Sequence, residues 1–185
     1  MTARIAFTYA DYAALPDDGK RYEIYEGELC EMTAPSTRHQ IVLVNLAALL
    51  LAHVRSRQLG RVLVSPLDVI LRDTPGETTV LQPDLVFLGR ERVSLMSPRA
   101  IEGAPTLAVE ILSPSTATID RTRKRELYAR YGVSYYWLID LDAREIEALA
   151  LRSGAYVVAV RVAGTEPVDL PPFSGLALVP ESLWQ

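Results

Sequence analysis

The run Thr106-Leu107-Ala108-Val109-Glu110-Ile111-Leu112-Ser113-Pro114-Ser115-Thr116 decides how this chain is read. Its nearly continuous apolar stretch suits a strand buried on both faces, and Ser113-Pro114 ends it. Glu110 stands in the middle of that strand. A carboxylate there costs several kcal/mol or more unless a cation or hydrogen bonds compensate it. Strand alternation puts Glu110 on the face shared by Ala108 and Leu112. Upstream, Asp84 follows Pro83 directly and opens a second apolar run, Leu85-Val86-Phe87-Leu88. Two acids in apolar surroundings require compensation of the same kind.

The segment after Glu110 offers a counter-charge. A helix is expected from about Ile119 to Tyr131, stopped by Gly132. On it Asp120, Lys124, Leu127 and Tyr131 recur at three- and four-residue steps and share one stripe. Leu127, Tyr128 and Tyr131 are the residues such a helix buries, so Lys124 lies on the sheet-facing side. An ammonium aimed at a strand with a buried carboxylate is either a structural ion pair or a catalytic arrangement. The catalytic version needs a divalent cation. Mg²⁺ takes oxygen ligands and is usually held by one or two carboxylates plus substrate phosphate. It activates a bound water and offsets transition-state charge, while a nearby lysine orients or helps deprotonate that water, or steadies the leaving charge. In the bland version Asp84 is a strand-start residue and Glu110 pairs with Lys124.

The rest of the 185 residues sets the frame. Hydrophobic residues make up 49%, which suits one compact domain with a real core. The formal net charge of -4 argues against a protein that coats nucleic acid nonspecifically. It leaves room for a local basic lip beside an acidic site. Arginine is the habitual cation, with 17 Arg against Lys20 and Lys124. No apolar run reaches the length of a membrane span, and Met1 to Tyr12 lacks the pattern of a secretory signal. The lone Cys30 excludes an internal disulfide and fits a reducing cytoplasm.

Periodicity predicts a short helix at 8–14 and a hairpin from Arg21 to Met32 turning at Glu26-Gly27. A long helix capped by Ser36 or Thr37 should carry Ile41, Val44, Leu46, Leu49, Leu50 and Val54 at helical spacing and stop at Gly60. Strands are expected at Arg61–Leu71, with Pro66 as a bulge or edge, and at Val80–Leu88. A helical turn is expected at Arg90–Leu95, and a further strand at Tyr135–Ile139. A last hairpin, 144–151 with 156–162, turns at Ser153-Gly154, and an apolar tail from Pro171 packs back. The expectation is one α/β domain over 1–185, with its core at about 20–150: a mixed sheet with a helix on either face.

Other residues carry two readings each. His39, in the first turn of the long helix, contacts a phosphate or a metal-bound water's neighbour, or is a surface helix start. Glu23 is a third carboxylate, or one of the solvated hairpin acids with Glu26, Glu28 and Glu31. Asp120 pairs with Lys124 on the surface or holds it in register. Asp140 is assigned to a turn, His53 to the helix, Asp68 to a bulge or a site. Trp137 with Tyr135 and Tyr136 suits base stacking or, more ordinarily, core and interface.

Pro83-Asp84, the strand Val109-Glu110-Ile111-Leu112-Ser113-Pro114-Ser115, then Asp120, Lys124, Tyr128 and Gly132-Val133 ahead of Tyr136-Trp137-Leu138-Ile139-Asp140 resemble one known group. It is the bacterial family described as "putative restriction endonuclease", of the PD-(D/E)xK nuclease superfamily. Tyr22-Glu23-Ile24, Gly27-Glu28-Leu29, Met32, Pro35-Ser36 and His39 look like its opening segment. The likeness runs from about residue 8 to residue 150. It implies a restriction-endonuclease-like fold: a central mixed sheet flanked by helices, with an N-terminal hairpin. It also implies Asp84 as metal-binding aspartate and Glu110 as second ligand. The superfamily usually has its lysine two residues beyond the acid, where this chain has Leu112. The family pattern instead has a lysine on the following helix, the place of Lys124.

The expected function is therefore Mg²⁺- or Mn²⁺-dependent hydrolysis of DNA. Asp84, Glu110 and the Ile111 carbonyl hold the metal, Lys124 assists the water, and Arg121, Arg123 and Arg125 touch backbone phosphate. A homodimer, through the Tyr-rich segment or the Tyr156–Val162 edge, is expected by analogy of fold alone. The rival reading is a binding or regulatory module that keeps the nuclease fold and no longer cuts.

Overall fold

The computed structural model describes residues 6–16 and 18–185. Residues 1–5, the start of the stretch read for a signal, lie outside them. Helix α1 (Tyr9–Ala13) precedes the hairpin β1 (Arg21–Tyr25) and β2 (Glu28–Met32). Helix α2 (Thr37–Ser56) leads to β3 (Gly60–Val64), β4 (Asp68–Arg72), β5 (Thr79–Leu81) and β6 (Leu85–Gly89). A 3-10 turn at Arg90–Leu95 and the short β7 (Ala100–Glu102) connect to β8 (Leu107–Leu112). Residues 117–130 then form a continuous helical stretch: α3 (Ala117–Ile119), a π-helical turn (Asp120–Lys124) and α4 (Arg125–Arg130). Strands β9 (Tyr135–Asp140), β10 (Glu145–Arg152) and β11 (Ala155–Val162) follow, and a 3-10 turn at Pro180–Leu183 closes the chain.

The strands form two mixed sheets, β2-β1-β5-β4-β7 and β11-β10-β9-β8-β6-β3. This corrects two expected elements. The strands expected at 61–71 and 80–88 each divide, and their halves belong to different sheets. β3 pairs with β6 from Gly60↔Gly89 to Val64↔Leu85, and β4 pairs with β5 around Val69↔Leu81. The segment 60–89 is thus one long hairpin bent through both sheets. Pro66 and Pro83 stand at the two bends, where a residue without an N–H cannot continue a ladder. The bends touch: Ser65 N donates to Asp84 O at 3.0 Å. Asp84 therefore sits at a corner between sheets. β7 lies just beyond the helical turn expected at Arg90–Leu95, where no strand was expected.

β8 lies inside the larger sheet, antiparallel to β6 and parallel to β9. The crossover to β9 is the helical stretch 117–130. Leu107, Val109 and Ile111 join a core with Val42, Leu43, Leu46, Leu50 and Val54 of α2. Ala108 and Leu112 join a second core with Leu127 and Tyr128 of α4 and with Tyr25. Glu110 points to that second side, as strand alternation requires. By length and composition α2 would suit a membrane span. Its apolar stripe lies instead against the sheet, the place of a core helix. Ile41 and Val44, expected on that stripe, are exposed.

The expected ends hold with one exception. Ser36 caps α2 by accepting from His39 N, and Glu26-Gly27 has the two positive φ angles of a tight hairpin turn. Gly132 stops α4 at φ +83°, with Val133 N donating to Tyr128 O. Gly60 does not stop α2. Gln58 takes the left-handed position at φ 53°, and Gly60 already pairs in β3. There its φ is +153°, and a Cβ would lie 1.9 Å from Leu88 O.

The tail returns as expected. Leu170, Phe173, Leu176, Leu178 and Leu183 are buried in the α2 core, and Trp137 Nε1 donates to Pro171 O at 2.8 Å. Trp137 and Tyr136 are fully buried. Those two side chains are core and offer no stacking platform, while Tyr135 is half-buried against the α2 core. Gly60→Ala should destabilise the protein by about 2 kcal/mol or more, because both the φ and the Leu88 carbonyl oppose a side chain. Urea denaturation of the purified variant measures this.

Candidate active site

Five segments bring their polar side chains to one place on the second side of β8. β8 supplies Glu110, β1 supplies Glu23 and Tyr25, and the π-helical turn supplies Asp120 and Lys124. The sheet corner supplies Asp84, and the first turn of α2 supplies His39. Lys124 is the hub. Its Nζ lies 3.0 Å from Glu110 Oε1, 3.0 Å from Glu23 Oε1 and 3.5 Å from Asp120 Oδ1. Lys124, Glu23 and Asp120 are each at most 1% exposed, and Glu110 is 4% exposed. Tyr128 OH donates to Glu110 Oε1 at 2.9 Å, Tyr25 OH to Glu23 Oε2, and Gln82 N to Glu23 Oε1 at 2.6 Å. These donors hold the carboxylates in fixed orientations.

Asp84 faces the same space from the corner. Its Oδ2 accepts from Ile111 N at 2.7 Å, and its Oδ1 lies 3.1 Å from His39 Nε2. Asp84, Glu110, Asp120, Lys124, His39 and Arg21 are among the residues lining a pocket with about 430 Å³ of empty space, part of it open to solvent.

The buried charge is unbalanced. Three carboxylates surround one ammonium, and a fourth, Asp84, lines the same pocket beside His39. Burial pushes the Glu110 carboxyl well above its usual range, and Asp120, Asp84 and Glu23 add to this against the pull of Lys124. Burial likewise raises Asp120, again against Lys124. For Lys124 burial acts downward, but Glu110, Glu23, Tyr25 and Asp120 outweigh it and hold the ammonium charged. An ammonium held this way stabilises negative charge beside it.

The donor set fits a hard divalent cation. Oxygen donors of three carboxylates line the pocket, and the buried Asp120 Oδ1 has no hydrogen-bond partner. Among the described residues no three His, Cys, Asp or Glu side chains form a ready cage. Mg²⁺ does not need one, since one or two carboxylates plus waters suffice. Carboxylate without thiolate favours Mg²⁺ or Mn²⁺ over zinc.

The expected site residues divide. Asp84, Glu110, Ile111, Lys124, His39, Glu23 and Asp120 come together. Glu23 is not a solvated hairpin acid, and Asp120 does not make a surface pair. His39 is buried rather than a surface helix start. Arg121, Arg123 and Arg125 do not line the pocket. Arg121 pairs with Asp140 at 3.0 Å, Arg123 pairs with Glu28 and stacks on Tyr25, and Arg125 donates to Tyr156 O. Side chains on the outer flank of the helix meet the hairpins on either side of it, not the sheet corner. Asp140 does shape its turn, accepting from Asp142 N and Ala143 N. Asp68 accepts from Tyr9 OH, Tyr12 OH and Gln82 Nε2, and so ties α1 to β4. The cation missed by sequence reading is Arg21. Its signal was the alternation Arg21, Glu23, Tyr25, which puts all three on one face of β1.

Two outcomes follow from the charge imbalance. Glu110 has a folded-state pKa above its ordinary 4.5. Its contribution to stability is thus complete below that value and is lost as pH rises through the folded one. Metal-free protein should lose stability as pH rises above that ordinary value, Glu110→Gln should flatten the slope, and millimolar Mg²⁺ should stabilise more at higher pH. Thermal melts across pH test this. Lys124→Met strands three buried acids and should cost about 3–5 kcal/mol in urea denaturation without metal.

The comparisons agree with this architecture. The chain is similar in fold to the crystal structure of a "putative nuclease belonging to DUF820" from Anabaena variabilis, with a TM-score of 0.72 at 20% identity, over 96% of this chain and 97% of that one. No curated protein matches. The sequence family Uma2, described as "Putative restriction endonuclease", matches residues 9–181. With nearly its whole length matched, the chain belongs to the Uma2 family.

Proposed function

We propose that this chain is a Mg²⁺- or Mn²⁺-dependent endonuclease that hydrolyses DNA phosphodiester bonds. The observation that carries the reading is the meeting of the half-buried Asp84 with the buried carboxylates of Glu110 and Asp120 at an open pocket. Asp84 and Glu110, with the Ile111 carbonyl, are the residues that would hold the cation. When bound, the cation supplies an activated water and positive charge toward the phosphate. His39 and the Ile111 N–H hold Asp84, and Tyr128 holds Glu110. Lys124 stays protonated and offsets charge developing on the phosphate oxygens. A homodimer through the β11 edge is supported by the exposure of Val157 and Val158 there.

A catalytically silent module is the second reading. Lys124 favours it, being enclosed by carboxylates on three sides while Leu112 holds the superfamily's lysine position. Plasmid and oligonucleotide cleavage with Mg²⁺, Mn²⁺ or a chelator separates the two. Asp84→Asn and Glu110→Gln should each lower the cleavage rate by about a hundredfold or more, with the fold retained by circular dichroism. Cleavage that survives the chelator or both variants overturns the assignment. Wild-type binding without cleavage favours the silent module.

A further inference from the structure

An acidic pocket repels a polyanion, so a nuclease built on one needs a cation at its mouth besides the metal. Lys124 cannot serve, since three carboxylates enclose it. The other lining cation is Arg21. It lies on the same face of β1 as Glu23, two residues outward, or about 6.8 Å along the strand. Among the described residues it has no carboxylate within ion-pair reach. Its one side-chain hydrogen bond runs from Nε to Gln82 Oε1 at 3.0 Å. Both Nη groups thus keep their hydrogens for another acceptor. Beyond Arg21 the pocket continues as a groove over Met32, Thr33 and Ala34 to Lys20. Lys20 is paired with Glu31 at 2.7 Å, so Arg21 is the uncompensated charge on this path.

Arg21 is also held in place. The amide of Gln82 donates from Nε2 to Asp68 Oδ1 at 2.8 Å and to Tyr12 OH at 3.0 Å. With those acceptors on the nitrogen side, Oε1 faces Arg21. The backbone N of Gln82 binds Glu23, so one residue ties the guanidinium to the carboxylate cluster. A planar guanidinium held at Nε presents its Nη pair as a fork suited to two phosphate oxygens.

We propose that Arg21 is the residue that binds a backbone phosphate of the nucleic-acid strand at the mouth of the site, and that Gln82 is its positioning residue. This rests on the nuclease reading above. The test uses the full chain with Mg²⁺ and oligonucleotides of one sequence as single-stranded DNA, duplex DNA and RNA. Arg21→Gln should raise KM about tenfold or more on whichever substrate is cut, with a much smaller change in kcat. The dependence of log affinity on log salt should flatten by roughly 0.7–0.9, the share of one phosphate. Arg21→Lys should recover part of the loss, and Gln82→Ala should raise KM in the same direction by less. The Mg²⁺ concentration that half-stabilises Arg21→Gln against heat should match wild type. Unchanged KM and salt slope in Arg21→Gln overturn the inference and leave wild-type cleavage standing. Lost Mg²⁺ stabilisation makes Arg21 structural and also overturns it. A wild type that neither cuts nor binds any of the three substrates sinks the nuclease reading, and the inference with it.

Discussion

The contact between one ammonium and three carboxylates organises much of this molecule. Lys124 reaches Glu110 on β8, Glu23 on β1 and Asp120 on its own helical turn. Those acids belong to the larger sheet, the smaller sheet and the crossover between β8 and β9. A buried ion pair gains little over apolar packing unless its geometry is good and its remaining lone pairs are satisfied. Here Tyr25, Tyr128 and the Gln82 backbone supply the extra hydrogen bonds. The cluster therefore fixes how the N-terminal hairpin sits on the larger sheet, a specification that apolar contacts alone leave loose. It also leaves net negative charge at a pocket wall, the physical reason a divalent cation suits the place.

The bent hairpin of residues 60–89 explains why the acids meet. Asp84 lies at the corner where the chain passes from β5 to β6, and its carboxylate accepts from the backbone of Ile111 on β8. Its position is set by two strand registers rather than by one. Arg21 and Glu23 come from β1, which pairs with β5 at Ile24↔Val80, just before that corner. The smaller sheet thus works as a bracket that presents cation and acid along one edge of the pocket.

Local chemistry made part of this legible in the sequence. Alternation placed Glu110 opposite α4, the three- and four-residue stripe placed Lys124 and Asp120 toward it, and Gly132, Ser36 and Glu26-Gly27 marked ends and turns. The apolar run after Pro83 singled out Asp84, and the family resemblance gave it a metal-binding role. What stayed hidden depends on partners far along the chain. Glu23 looks like Glu26, Glu28 and Glu31 until Lys124 is set against it. Arg121, Arg123 and Arg125 look like a basic lip until the hairpins that flank them are in place. The strands at 61–71 and 80–88 read as continuous because Pro66 and Pro83 signal interruption without saying that the chain changes sheets. Gly60 is set by the Leu88 carbonyl across the ladder, which no local rule anticipates.

The π-helical turn at Asp120–Lys124 has a further consequence. A wider turn takes in more chain than an ordinary one before the helix resumes as α4. Asp120 and Lys124 face Glu110 in this wider phase, and Leu127 and Tyr128 are packed in the phase that follows. The wider turn thus absorbs one extra residue while α4 keeps its apolar side, with Leu127 and Tyr128, on the sheet. A second residue inserted ahead of Leu127 would have no such slack and would turn Tyr128 away from Glu110 by about 100°.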